Sequence, residues 1–146
     1  MDILFVHRNF PAQFRHLAAY LAEDPCYRIF AIGSQHARKL TGTNVSKYRA
    51  SERSVAGAHP FARRFEIESR RAEQVLYAAT HLKHSGVVPA VIFFHPGWGE
   101  HLALRDVFPA AKMVSYCEFY YRSSGADTGF DPEFPALGLD GLVRLR

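Results

Sequence analysis

Residues Ala90 to Glu100 read AVIFFHPGWGE, and this stretch decides the fold. A short apolar run breaks off at His95, and the proline, two glycines, tryptophan and glutamate that follow are too constrained and too polar to extend a strand. A buried parallel strand that delivers chemistry to its carboxyl end has this form. In isolation, an ordinary strand-to-helix turn with an incidental histidine would read the same way. A second segment of the same design opens the chain: Ile3 to Val6 is continuously apolar, His7, Arg8, Asn9, Phe10 and Pro11 follow, and Phe14, Leu17, Ala18 and Leu21 then recur at helical spacing. In a doubly wound sheet the loops after the first and fourth strands meet across the crevice where strand order reverses. His7, Arg8 and Asn9 would then face one pocket with His95, Trp98 and Glu100.

The rest of the chain fits that scheme. Tyr27 to Gly33, Val45 to Arg49 and Lys112 to Tyr116 read as further strands. Pro60 suits the first position of a long helix whose apolar stripe runs Phe61, Phe65, Ala72, Val75, Leu76, Ala79 and Leu82 until Gly86 caps it. Glu100 to Val107 reads as a short helix. Strands alternating with helices, each strand apolar on both faces, specify an α/β domain with a mostly parallel sheet covered on both sides. Ser123 to Leu139 mixes Gly, Pro, Ser and Asp without periodicity and reads as a mobile loop, after which Asp140 to Arg146 looks like the start of a helix. The chain is expected to be the front part of something longer.

Composition narrows the class. The 146 residues are one domain, large enough for a core without staples. Cys26 and Cys117 form no CxxC pair, which argues against a disulfide framework or a zinc ribbon and for a reduced, cytoplasmic setting. No apolar run reaches the roughly 18 residues that span a bilayer. Charge is uneven: from His36 to His84 there are ten Lys and Arg against four Glu, a local net of +6, and −2 elsewhere. Such a region can attract an anionic acceptor, a membrane surface or nucleic acid. Arg63, Arg64, Arg70 and Arg71 nevertheless interleave with Glu66, Glu68 and Glu73 as on a solvated helix face.

Several chemistries find no support. HRNFPAQF lacks the glycines of a dinucleotide fingerprint, no GxxxxGK[ST] occurs, and no GxSxG marks a nucleophile elbow. The eight histidines match no established metal-ligand spacing, so neither a metal nor another cofactor is implied. Cys117 reads as a buried structural cysteine. Glu118, Phe119, Tyr120, Tyr121 and Arg122, leaving the fifth strand, combine stacking rings with charged groups in the way that sugar sites do, with Phe119 assigned to the core.

Taken in order, ILFVHRNFPAQFRHLA (3–18), VIFFHPGWGE (91–100) and EFYYRSSGADTGFDPEF (118–134) resemble the amino-terminal domain of family 4 glycosyltransferases, the retaining GT-B enzymes. The resemblance covers nearly the whole chain. It implies a Rossmann-like three-layer domain over residues 1–146, one half of a GT-B fold, which binds an acceptor saccharide or glycolipid. A carboxyl-terminal half, absent from this chain, would hold most of the nucleotide sugar. His95 matches the histidine that in such enzymes often lies near the transferred sugar. Arg8, Asn9, Gln13, Trp98, Glu100, Glu118, Tyr120 and Arg122 are the implied acceptor contacts. The first loop departs from the family in having Asn9, Phe10, Pro11 and Ala12 where many relatives are glycine-rich. The resemblance further implies a chain inactive alone, no nucleic-acid partner, and a cytoplasmic enzyme with peripheral contact at the inner face of the membrane. Two other readings compete: a stand-alone Rossmann-like module that binds a sugar or nucleotide without catalysis, and an interaction domain whose basic helix docks on a membrane or partner.

Overall fold

The computed structural model describes residues 1–51, 53–118 and 131–133. Five strands, β1 (Asp2–Val6), β2 (Arg28–Ser34), β3 (Thr43–Tyr48), β4 (Pro89–Phe94) and β5 (Lys112–Ser115), form one sheet in the order β3-β2-β1-β4-β5. Every neighbouring pair is parallel. The expected strands are all present, their ends moved by one or two residues. β1 and β4 are adjacent and central, as their apolar runs require.

Helix α1 (Arg15–Glu23) joins β1 to β2, α2 (Arg63–His84) joins β3 to β4, and α3 (Leu104–Val107) joins β4 to β5. Two cores result. Leu4, Val6, Phe30, Ile32, Ile92 and Phe94 pack against Val75, Ala79 and Leu82 of α2 and Leu104 and Val107 of α3. On the other face Ile3, Phe5, Ile29 and Ala31 pack against Phe14 and Ala18 at the start of the first crossover. Each large apolar side chain so buried contributes about 1.5–3 kcal/mol. The amino-terminal ends of the strands are clamped by Asp2. Its carboxylate accepts from Arg28 Nε and Nη2 at 2.6 and 2.7 Å and from Val88 N–H at 2.9 Å. Burial alone would raise the Asp2 carboxyl, but these partners outweigh it and hold it below its ordinary value.

The structure corrects four expectations. Phe65 in α2 is 64% exposed and Phe61, in the 3-10 turn Pro60–Ala62 just before it, is 56% exposed, so the expected apolar stripe overhangs the sheet before it reaches the core at Ala72. β3 and β5, the two edge strands, carry exposed residues and are not apolar on both faces. Cys117, just beyond the β5 edge, is exposed rather than buried. The helix expected over Glu100 to Val107 shrinks to the four residues of α3, because the chain turns sharply after Gly99, whose φ is +82°. Of the loop read over Ser123 to Leu139 only 131–133 are described, as a turn. Phe119 and the helix start at Asp140 lie outside the described residues. Among the described residues no helix is long and apolar enough to cross a membrane.

Gly99 holds the turn after β4 directly against α2. A Cβ placed there would stand 2.4 Å from Glu68 Cβ and 2.7 Å from its Cα and carbonyl oxygen. Gly86 has a similar φ of +81° but open space around it. Gly86→Ala therefore bears only the left-handed strain, about 1 kcal/mol. Gly99→Ala adds overlap with helix backbone and should cost about 3 kcal/mol or more. Urea unfolding of both variants checks this, and equal losses would show that α2 yields at Glu68.

Candidate active-site cleft

β1 hands the chain to α1 on one face of the sheet, and β4 hands it to α3 on the other. A crevice opens between adjacent strands that part in this way. Parallel pairing sets Val6 opposite Phe94, so the next residues, His7 and His95, stand side by side at the mouth of that crevice. Their rings meet edge to face at 5.5 Å.

Both imidazoles are fixed by the same device. His7 Nδ1 accepts the Asn9 N–H at 3.0 Å, and His95 Nδ1 accepts the Gly97 N–H at 3.1 Å. An Nδ1 used as acceptor places the ring proton on Nε2. His95 Nε2 lies 3.3 Å from Glu118 Oε2, and the Trp98 ring is 6.1 Å from the His95 ring. Burial lowers the His7 pKa to about 4; repulsion from His95 adds to the effect, and Glu118 opposes it.

Glu100 occupies the back wall. It is 0% exposed, its Oε1 accepts from the Tyr48 hydroxyl, and its Oε2 accepts the Arg8 N–H at 3.0 Å. Burial raises the Glu100 carboxyl above its ordinary value, while Tyr48, the Arg8 N–H and the charges of Arg71 and Arg8 pull the other way. Burial and the adjacent Glu100 drive the Tyr48 phenol far upward. Both carboxylate oxygens are thus engaged inside the domain, and Glu100 holds the cleft in shape without facing it.

The remaining expected contacts are distributed around this pair of histidines. Trp98 is 38% exposed, with the Arg8 and Arg71 guanidinium carbons each 5.7 Å from its ring centroid. Asn9 is exposed at the rim. Gln13 lies in the 3-10 turn before α1, its buried Nε2 without a hydrogen-bond partner among the described residues. Tyr120 and Arg122 lie outside the described residues. Beside the cleft, over the carboxyl ends of β1, β2 and β3, is a cavity of about 350 Å³ lined by Arg8, Arg49, Arg53 and Arg71, with Ser34 and Tyr48. His95 does not line it.

Sequence reasoning missed Arg71 here. Two of the expected helix-face pairs form, Arg64 with Glu68 at 2.7 Å and Arg70 with Glu66 at 2.8 Å. Arg71 instead turns inward, and its Nη1 lies 3.5 Å from the Trp98 carbonyl oxygen. Tyr48 was missed as well. The only signal was its place as the last residue of a strand, where side chains reach the carboxyl-end crevice.

Fold and site define a Rossmann-like α/β domain with a polar cleft at the switch point of its parallel sheet. A family profile described as glycosyl transferase family 4 group matches residues 26–146. The chain belongs to the glycosyl transferase family 4 group, and a glycosyltransferase role follows. The match includes His95, Trp98, Glu100 and Glu118 and begins after the loop that carries His7, Arg8, Asn9 and Gln13. No curated protein and no solved structure matches the chain.

Two measurements test this arrangement. Tyr48→Phe removes the hydroxyl that donates to the buried Glu100 and should cost about 1.5–3 kcal/mol in urea unfolding. His7 should titrate near pH 4 by NMR, against an ordinary value of 6.5. Its folded pKa is depressed, so its stabilising contribution is complete above pH 6.5 and is lost as pH falls toward 4. Relative to His7→Asn, which keeps an acceptor near the Asn9 N–H but has no charge to gain, the wild type should lose about 3 kcal/mol over that interval. A constant difference between the two proteins would place His7 in a wetter environment than its burial implies.

Proposed function

We propose that this domain forms the acceptor side of a glycosyltransferase cleft, in which a sugar passes from a nucleotide sugar to a saccharide or glycolipid with retention at the anomeric carbon. The nucleotide sugar is held mainly by a second domain carboxyl-terminal to this one, so the 146 residues alone transfer nothing. The observation that carries the reading is His95: an imidazole at the end of a central strand, at the switch point, with Nδ1 tied to the backbone and Nε2 3.3 Å from Glu118 Oε2 at the cleft. A ring held in that way is oriented before any substrate arrives.

In the proposed reaction the leaving phosphate assists the acceptor hydroxyl, and no base is required of this half. His95 donates from Nε2 to a hydroxyl of the transferred sugar and sets its dipole toward the anomeric centre as positive character develops there. The nearby Glu118 carboxylate has the sign that such a centre favours. Trp98 offers a ring face to the acceptor, with Arg8, Asn9 and Gln13 available for its hydroxyls. Glu100 is a positioning residue.

His95→Ala in the full-length transferase should lower kcat by about 10², a loss of about 2.7 kcal/mol of transition-state stabilisation, with the midpoint of thermal unfolding almost unchanged. Release of nucleoside diphosphate from a panel of nucleotide sugars measures the first quantity. Normal turnover per folded molecule in a destabilised variant would assign His95 to the core and remove it from the site.

A further inference from the structure

We propose that the arginine-lined cavity beside the cleft binds a phosphate group carried by the acceptor. This rests on the acceptor reading of the cleft and names the substrate class more closely: a hydroxylated molecule bearing a phosphate.

Arg8, Arg49, Arg53 and Arg71 line a space of about 350 Å³, and none of the described lining residues is a carboxylate. The ion pairs formed among the described residues use Arg28, Arg64 and Arg70, and none of these four. Contrast within one helix is informative. Arg64 and Arg70 are neutralised by Glu68 and Glu66, whereas Arg71, next in sequence, lines the cavity and forms no ion pair among the described residues. The Glu100 charge acts on Arg8 and Arg71 from behind the wall, where its oxygens are already engaged.

The other lining groups supply donors. Ser34, Ser51 and Ser54 each accept a backbone N–H, from His36, Arg53 and Ala56, and so keep a hydroxyl proton to give. Arg49 uses Nε on Gln35 Oε1 and retains its terminal N–H groups. A planar guanidinium matches phosphate oxygens two at a time, and several guanidinium groups around one space favour a multiply charged oxyanion. The volume lies at the lower end of small-ligand pockets, enough for a phosphate with part of its carrier. Arg8 and Arg71 also lie over Trp98. A phosphate in the cavity would therefore leave its carrier at the stacking surface beside His95.

Trp98 is the single tryptophan of the chain and flanks two of the four arginines, so its emission reports the site. The 146-residue chain is titrated with inorganic pyrophosphate and with glucose 6-phosphate. Glucose and sodium chloride of matched ionic strength serve as controls. Phosphatidylcholine vesicles containing phosphatidic acid form a third arm. The expected result is a saturable change with the two soluble phosphates and none with sodium chloride. Arg49→Gln with Arg53→Gln, two exposed positions, should weaken it by about 10-fold or more. Saturation by the soluble phosphates alone identifies a soluble sugar phosphate as the acceptor type. Vesicle binding that soluble phosphate competes away identifies a lipid phosphate. Either supports the proposal. A change that follows ionic strength only, or equal affinity in the double variant with its thermal unfolding unchanged, overturns it. If glucose still perturbs the Trp98 and His95 amides in NMR spectra after that failure, the acceptor cleft stands without the phosphate site. Phosphate binding by a protein whose full-length form releases no nucleoside diphosphate from any nucleotide sugar would remove the transfer reading and leave the cavity.

Discussion

A single buried carboxylate organises the working end of this domain. Glu100 is sealed from solvent, and its two oxygens take donors from places far apart in sequence: the hydroxyl of Tyr48 at the end of β3 and the backbone N–H of Arg8 just past β1. A carboxylate out of water is costly unless its lone pairs are filled, so the partners cannot drift without a penalty of several kcal/mol. The turn after β4, the loop after β1 and the end of β3 are thereby drawn to one point. Both the crevice at His95 and the arginine-lined cavity are walls around that point. Gly99 makes the arrangement possible on the remaining side by letting the turn lie against the backbone of α2 at Glu68.

The two histidines show how backbone economy becomes a functional geometry. Each strand end must turn, and each turn leaves an N–H that the sheet no longer satisfies. In both places the imidazole two residues earlier accepts it. Satisfying the turn also fixes which nitrogen bears the proton and where it points, with no further machinery. Since β1 and β4 are neighbours in register, the two devices fall side by side, and the His95 ring adds to the burial that keeps His7 uncharged.

How much of this was legible in the sequence follows from which forces act locally. Runs such as Ile3 to Val6 and Val91 to Phe94 declare buried parallel strands, because only such strands are apolar on both faces. Their adjacency and the pairing of His7 with His95 then follow from the doubly wound order. The register of α2 was legible but its reach was not. Twenty-two residues extend roughly 33 Å, while a six-residue strand covers only about 20 Å, so the stripe at Phe65, and at Phe61 in the turn before the helix, outruns the sheet it would pack on. Glu100 reads in the sequence as the first residue of a short helix, facing the pocket, since nothing local announces that a tyrosine 52 positions earlier will meet it. Arg70 and Arg71 differ by one position and hence by about 100° around the helix. That rotation sends one to Glu66 and the other to the cavity, a distinction visible only once the helix is docked.

Charge is divided across the site in a way that suits the proposed chemistry. A sugar that gains positive character at its anomeric carbon is helped by dipoles and a carboxylate and hindered by a nearby fixed cation. Around His95 the groups are an imidazole with Nδ1 occupied by a backbone donor, a second imidazole kept uncharged by burial, and Glu118. The guanidinium groups gather over β1 to β3 instead, with Trp98 in contact with two of them. A negatively charged acceptor placed with its anion among those arginines and its hydroxyl toward His95 would satisfy both regions at once. A neutral one would leave the four cavity arginines with no ion-pair partner among the described residues. On the proposed reading, the division of charge would tie the identity of the acceptor to the position of His95, through the tryptophan that stands between them.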